Sequence, residues 1–361
     1  MKRLTTIFLI LAAVLLWACE FRPLLEQSNT HYVRVYIDEE IKNVTTGFYN
    51  EDNVRPVYKS PGILRITLAD QVTGRVVSER FLRNIGHDEN GKYYDGYIAA
   101  EPGYYSLMVY NFDMETTRVL DINYHHKAKA YTNEIATHLK TRIPSRANAS
   151  AATKTKGYDK VVYDPDHLFR VGTSDVYIPY TDYVDTLRSP DGTYFRAESM
   201  IKSYFLQVRV VGMEYASSSV GLVTGVAGSG WLHSGKMDVE DPVTVYFDML
   251  PGHDSAAGVV KGEEDGVVTV YTTFNTFGKI AEMESELEIT FDFLTIYGEP
   301  YSETIDITDL FSTRDAIENH WLLIDHTIEI PEPPDVPGGN GGGGFSPSVG
   351  DWNDINTEIQ I

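Results

Sequence analysis

One cysteine stands among 361 residues, Cys19. No disulfide can form within the chain, so the fold must be held by its core. Positive charge is also scarce: 30 Lys and Arg face 52 Asp and Glu, for a formal net charge of −22. An acidic chain without basic clusters argues against nucleic acid as a partner and against electrostatic docking on anionic lipid; the charge reads as solubility at a cell surface. Long helical periodicity is hard to find. Hydrolase motifs are missing as well, with no G-x-S-x-G nucleophile elbow and no zinc-binding H-E-x-x-H pair. Gly339-x-Gly341-x-x-Gly344 matches the dinucleotide fingerprint in letters only, since prolines precede it and Phe-Ser-Pro follows it; it reads as a linker. The adjacent His125 and His126 would point to opposite faces of a strand, and His320 and His326 would lie about 20 Å apart along one. The stretch HDENGK lacks the glycine offset and closing glutamate of a calcium loop and reads as a hairpin turn. With so many carboxylates no acid pair stands out. The expectation is a non-enzyme with no catalytic residues, no metal site and no cofactor.

What is present begins at the N-terminus. Lys2-Arg3 precede about fourteen mostly apolar residues, Thr5 to Ala18, the build of a secretory signal. That run is too short for a comfortable bilayer crossing, which takes roughly 20 residues. Leu16-Trp17-Ala18-Cys19 resembles the lipobox of bacterial lipoproteins. The resemblance implies that Cys19 becomes the new N-terminus, bearing a diacylglyceryl thioether and an N-acyl chain. Several acyl chains, at about 0.8 kcal/mol per buried CH₂, hold a protein on a membrane far more firmly than one. Residues 1–18 are thus expected to be a lipoprotein signal peptide, 19–29 a tether and Cys19 the lipid attachment site.

Further along, alternation with a period of two dominates. Val33, Val35 and Ile37 share one face of HYVRVYID, with Tyr32, Arg34 and Tyr36 on the other. Leu64, Ile66 and Leu68 alternate in GILRITLA, as do Val243, Val245, Phe247 and Met249 in VTVYFDML. In ELEITFDFLTIYG the apolar set is Leu287, Ile289, Phe291, Phe293 and Tyr297. Such runs predict half-buried antiparallel strands, and Thr73-Gly74, Asn90-Gly91, Asp191-Gly192 and Asp265-Gly266 between them predict hairpins. The best helix candidate is TDLFSTRDAIENH, with Leu310 and Ile317 apolar and Asp309 or Ser312 as caps. The polar stretch Thr141 to Tyr158 reads as a loop.

Many short strands with regular turns predict an all-β fold of packed sheets. The expected division is an N-terminal β-sandwich over residues 30–178, a C-terminal one over 179–331, a Pro/Gly linker over 332–344 and a tail over 345–361. The tail closes on an alternating strand in which Ile355, Ile359 and Ile361 share a face behind Trp352.

Several stretches, in order, carry a family likeness: the lipobox, HYVRVYID, EPGYYSLMVYNFD (Glu101 to Asp113), PDHLFRVG (Pro165 to Gly172), YFLQVRVVGM, ITFDFL, DITDLF (Asp306 to Phe311), HTIEIP, and Val349 to Trp352 after the glycines. The chain resembles the fimbrillin-associated anchor lipoproteins of Bacteroidales and related lipoproteins catalogued as a domain of unknown function. The resemblance implies two tandem transthyretin-like β-sandwich domains on the outer membrane, and a role in surface fimbriae as an anchor or minor subunit whose partners are other fimbrial subunits. In that superfamily one subunit completes its neighbour's sheet, so main-chain hydrogen bonds supply adhesion and alternate side chains supply register. Trp352, Ile355, Ile359 and Ile361 then form a candidate pairing strand, in cis or in trans. Asp185-Thr186-Leu187 and Asp254-Ser255-Ala256 look like the O-glycosylation signal of these bacteria. The alternative is a glycan-binding surface lipoprotein of a nutrient-uptake system, with Trp231, Trp321 or clustered tyrosines as the platform.

Overall fold

The structure is a computed structural model, and it describes residues 29–37, 60–140, 143–147, 159–181, 183–249, 258–261, 266–280 and 287–333. Cys19, the Gly-rich linker, the tail strand and Asp254-Ser255-Ala256 lie outside them. The strands are β1 (Thr30–Ile37), β2 (Leu64–Asp70), β3 (Val76–Leu82), β4 (Asn84–Asp88), β5 (Gly91–Ala99), β6 (Gly103–Asn111), β7 (Thr117–Leu120), β8 (Lys129–Thr132), β9 (Val161–Tyr163), β10 (Phe169–Ile178), β11 (Asp185–Thr186) and β12 (Phe195–Ser199). They continue as β13 (Lys202–Val211), β14 (Ala216–Ala227), β15 (Ser229–Trp231), β16 (Pro242–Asp248), β17 (Gly258–Lys261), β18 (Val267–Thr276), β19 (Glu288–Thr295), β20 (Pro300–Asp306) and β21 (Trp321–Glu329). Two single helical turns, α1 (Thr137–Lys140) and α2 (Pro144–Ala147), lie between β8 and β9. The chain is all-β.

In the first sandwich, β1 pairs antiparallel with β5 and parallel with β11 and β12, and β4 lies beyond β5. Facing it are β3, β2, β6 and β10 in that order. β12 also bonds β10, through Phe169↔Ser199 and Arg170↔Glu198, so it closes one side of the sandwich. The predicted inward sets meet in the middle: Val33, Val35, Leu64, Ile66 and Leu68 are fully buried with Leu107, Val109 and Phe195. Each such side chain contributes about 1.5–3 kcal/mol on burial. The hairpin predicted at Asp191-Gly192 is a turn only, with Gly192 at φ 83, the left-handed region that favours glycine. It does not reverse the chain, because β11 and β12 on either side run parallel to the same strand.

The second sandwich sets β17–β18–β13–β21 against β20–β19–β14–β16–β9. Val243, Val245, Phe247 and Met249 lie in its core with Leu287, Ile289, Phe291 and Phe293, as the alternation predicts. Tyr297 falls past the end of β19 and is only half-buried. Asp292, which alternates with that apolar set, is buried too, because α2 lies over β19 and the Ser145 hydroxyl donates to its carboxylate at 2.7 Å.

The predicted helix over TDLFSTRDAIENH is two short turns instead, Leu310–Ser312 and Asp315–Asn319. Thr313 is extended between them, and its hydroxyl accepts the amide of Ala316 at 3.2 Å, starting a new turn. The buried residues are Phe311 and Ala316, while Ile317 is 64% exposed and Asp309 makes no side-chain cap.

The two sandwiches are interleaved along the chain. β9 adds to the second, parallel to β16, before β10, β11 and β12 return to the first. A third sheet, β15–β8–β7, joins strands from both stretches of sequence. Beneath it Met108, Tyr110, Ala128, Ala130, Leu232 and Phe277 form their own core. The described residues up to Pro331 accordingly make one compact unit.

Candidate strand-docking edges and the junction between the two sandwiches

A protein that works by strand pairing needs an edge whose main-chain groups have no ladder partner. Among the described strands, β20 pairs only with β19 and β21 only with β13. The two edges are tied across the second sandwich by a hydrogen-bond contact between Glu303 of β20 and His326 of β21. The Tyr301 hydroxyl donates to the second oxygen of Glu303 at 2.9 Å. Burial, then that hydrogen bond and the nearby carboxylates push the Tyr301 phenol up to about 12. Along β20, Tyr301, Glu303 and Ile305 are half-buried, while Pro300, Ser302, Thr304 and Asp306 are exposed. An inward-pointing charge is a known guard of a free edge. Here it leaves a seam of two edges latched by one polar pair.

The edge β3 is guarded differently. Glu79 and Arg80 lie on it, and Glu79 is paired with the buried Arg65. Arg65 also donates to the Tyr110 hydroxyl at 2.7 Å. That pair leads into a polar cluster on the outer face of β2 and β6, where sequence alternation alone expects solvent. His125 is 2% exposed, with Thr67 Oγ1 2.8 Å from its Nε2 and Ser106 Oγ 2.8 Å from its Nδ1. Ser106 Oγ is also 2.8 Å from Nε2 of His233, which comes from the loop after β15. The two imidazoles stack with centroids 5.7 Å apart. Burial holds the His125 pKa down at about 3, with help from the neighbouring His233, Arg65 and His126. Arg170 of β10 donates to the carbonyls of Leu232 at 3.1 Å and His233 at 2.6 Å.

PDHLFRVG, singled out in the sequence, supplies much of this junction. One Asp166 oxygen accepts the amides of Glu115, Thr116 and Thr117 at 3.0, 2.8 and 2.7 Å. Those three bonds outweigh its partial burial and hold its carboxyl below the usual range. Asn111 binds the same stretch twice, donating to the His167 carbonyl and accepting the Phe169 amide.

Of the residues chosen from sequence, Cys19, Trp352, Ile355, Ile359 and Ile361 lie outside the described residues. His125 is packed, His326 is paired, and His320 lies against Tyr204 with centroids 5.4 Å apart. Trp321 is 7% exposed, against Phe205, and Trp231 carries the Lys129 ammonium 5.2 Å from its ring. These two tryptophans do not form a shared open platform. No group of three metal-ligating side chains occurs among the described residues.

Residues 83–248 match the Domain of unknown function (DUF5119). The match runs from β4 through β16, so it takes in the junction of the two sandwiches with Ser106, His125, Gly172 and His233. The chain is 23% identical over 283 residues to the "Putative fimbrium anchoring subunit Fim4B" of Bacteroides ovatus, covering 74% of this chain and 78% of that protein. Among solved structures, a "putative adhesin" of Bacteroides ovatus is similar at 21% identity and TM-score 0.49, covering 87% of this chain and 93% of that one. The fimbrial anchor protein Mfa2 of Porphyromonas gingivalis is similar at 14% identity and TM-score 0.40, covering 79% and 85%. The likeness to fimbrium-anchoring proteins read from sequence motifs is found again along most of the chain.

Proposed function

We propose that this is a non-enzymatic, lipid-anchored structural protein of the cell surface, a fimbrial anchor or minor subunit that joins other subunits by β-strand pairing. The observation that carries the reading is the likeness to a protein named as a fimbrium anchoring subunit, which spans about three quarters of both chains. The fold supports it, since an all-β chain whose edges β20 and β21 have no further ladder partner among the described strands supplies main-chain groups for a partner strand. Cys19 is the proposed lipid attachment site, on the outer membrane. No helix among the described residues is long and apolar enough to cross a membrane.

Pull-down from intact cells after surface protease shaving tests this, comparing the wild type with Cys19→Ala. The wild type is expected in the membrane fraction, protease-accessible and with other fimbrial subunits; Cys19→Ala is expected to leave that fraction. Retention of the variant with the membrane would overturn the anchor. Deleting residues 345–361 separates the two roles of the tail strand. Loss of assembly with an unchanged melting temperature identifies pairing in trans. A lower melting temperature of the monomer identifies pairing in cis, where the strand covers an edge of its own molecule.

A further inference from the structure

One cleft of the first sandwich takes no part in this reading. It has a volume of about 300 Å³ and lies between the end of β10 and the β11 segment, with His31 of β1 on its wall. Its polar lining includes Asp175, Asp185, Thr186, Arg188 and Ser189. His31 is 1% exposed and its Nε2 has no hydrogen-bond partner. A buried ring nitrogen left unpaired costs about 1–3 kcal/mol, a cost that the fold bears beneath this cleft.

The backbone is built to shape this place. β10 slips register between Thr173 and Val176, and within the bulge Asp175 adopts φ 61. Bulges re-aim side chains, and this one brings Asp175 to the cleft, where Gln71 Nε2 donates to its carboxylate at 3.1 Å. Asn29 fixes the neighbouring wall, donating to the Pro179 carbonyl and accepting the Thr181 amide and hydroxyl at 2.9 and 3.0 Å. Tyr177 lines the cleft at 54% exposure, and its ring packs on Tyr104, 61% exposed, with centroids 4.9 Å apart. Arg188 lies 4.0 Å over the ring of Tyr194.

Acceptors, donors and an exposed aromatic wall in one small cleft select among ligand classes. Two carboxylates against one guanidinium disfavour phosphates and other anions. A simple ammonium ligand would use the acceptors and leave Arg188 idle. A neutral polyol uses both, while its C–H face lies on the tyrosine ring. We propose that this cleft is a saccharide-binding site for one or two neutral sugar residues, with Asp175, Asp185 and Arg188 binding hydroxyls and Tyr177 stacking on the ring. It stands apart from the anchoring role and is tested without reference to assembly.

Saturation-transfer NMR on the purified full chain with galactose, mannose, N-acetylglucosamine and lactose is the experiment. Transfer to ring protons of at least one of these sugars is expected. Tyr177→Ala and Asp175→Asn are each expected to weaken it about tenfold, with the melting temperature of both variants unchanged. Asparagine tolerates the left-handed backbone at this position. No transfer to any of the four sugars, or transfer undiminished in both variants, overturns the proposal. So does binding of inorganic phosphate or N-acetyl-lysine amide at the same residues in place of sugar.

Discussion

Alanine at Gly172 is expected to lower the stability of the protein by about 3 kcal/mol, read as a shift in the denaturant midpoint with little change in slope. Gly172 has no left-handed backbone to excuse the loss; it lies in β10, opposite Met108 of β6, where any residue fits the local conformation. The cost comes from the other side. A Cβ at this position would lie 1.9 Å from the His233 carbonyl oxygen, a main-chain atom that moves only if its loop moves. That loop carries the carbonyls that accept from Arg170 and the imidazole that meets Ser106. A single methyl group therefore pushes on the docking of the loop after β15 onto β6 and β10. Trp231 sits at the base of this loop beside Lys129, so its fluorescence reports on the docking of the loop. A midpoint equal to that of the wild type would show that the loop yields without cost.

Much of the fold is written in short-range pattern. The inward residues of β1, β2, β16 and β19 were legible because a half-buried strand must alternate, and the core holds them as read. Alternation says nothing of what covers the second face. Arg65 and Thr67 sit on the face of β2 away from its core and are nevertheless buried, because Tyr110, His125 and Ser106 close over them. The same blindness hid Asp292 beneath α2. Long-range pairing was equally silent: β9 with β16, β12 with β1 and β21 with β13 are parallel contacts between distant segments, and no local signal marks them. The helical reading of TDLFSTRDAIENH failed for a local reason, since the Thr313 hydroxyl competes for an amide that a continuous helix would need. The seam at Glu303 and His326 had a trace in the sequence, an acidic residue and a histidine on separate strands, but only the fold makes them neighbours.

The two histidines of the junction carry the second large effect. His125 is buried neutral, with hydroxyl oxygens at both ring nitrogens. A second proton on this ring would find hydrogen bonds but no counter-charge, and it would lie near Arg65. Unfolded, the same histidine titrates near its ordinary value of 6.5. Between pH 6.5 and about 3 the unfolded chain therefore binds a proton that the folded chain refuses. Stability contributed by the neutral ring is fully present above that window and falls by about 1.4 kcal/mol per unit as pH drops through it. His233, also held low by burial, adds in the same direction. Asp164 opposes them: burial holds its carboxyl well above the usual range, so it favours the folded state as pH falls. The readout is accordingly a difference, the pH slope of unfolding free energy in the wild type minus that in His125→Asn. The variant loses packing at every pH, but its slope should be shallower by about 1.4 kcal/mol per unit between pH 6 and 4. Equal slopes would mean that His125 takes up its proton in the folded state, and that the junction between the two sandwiches holds a charge where the geometry provides none to balance it.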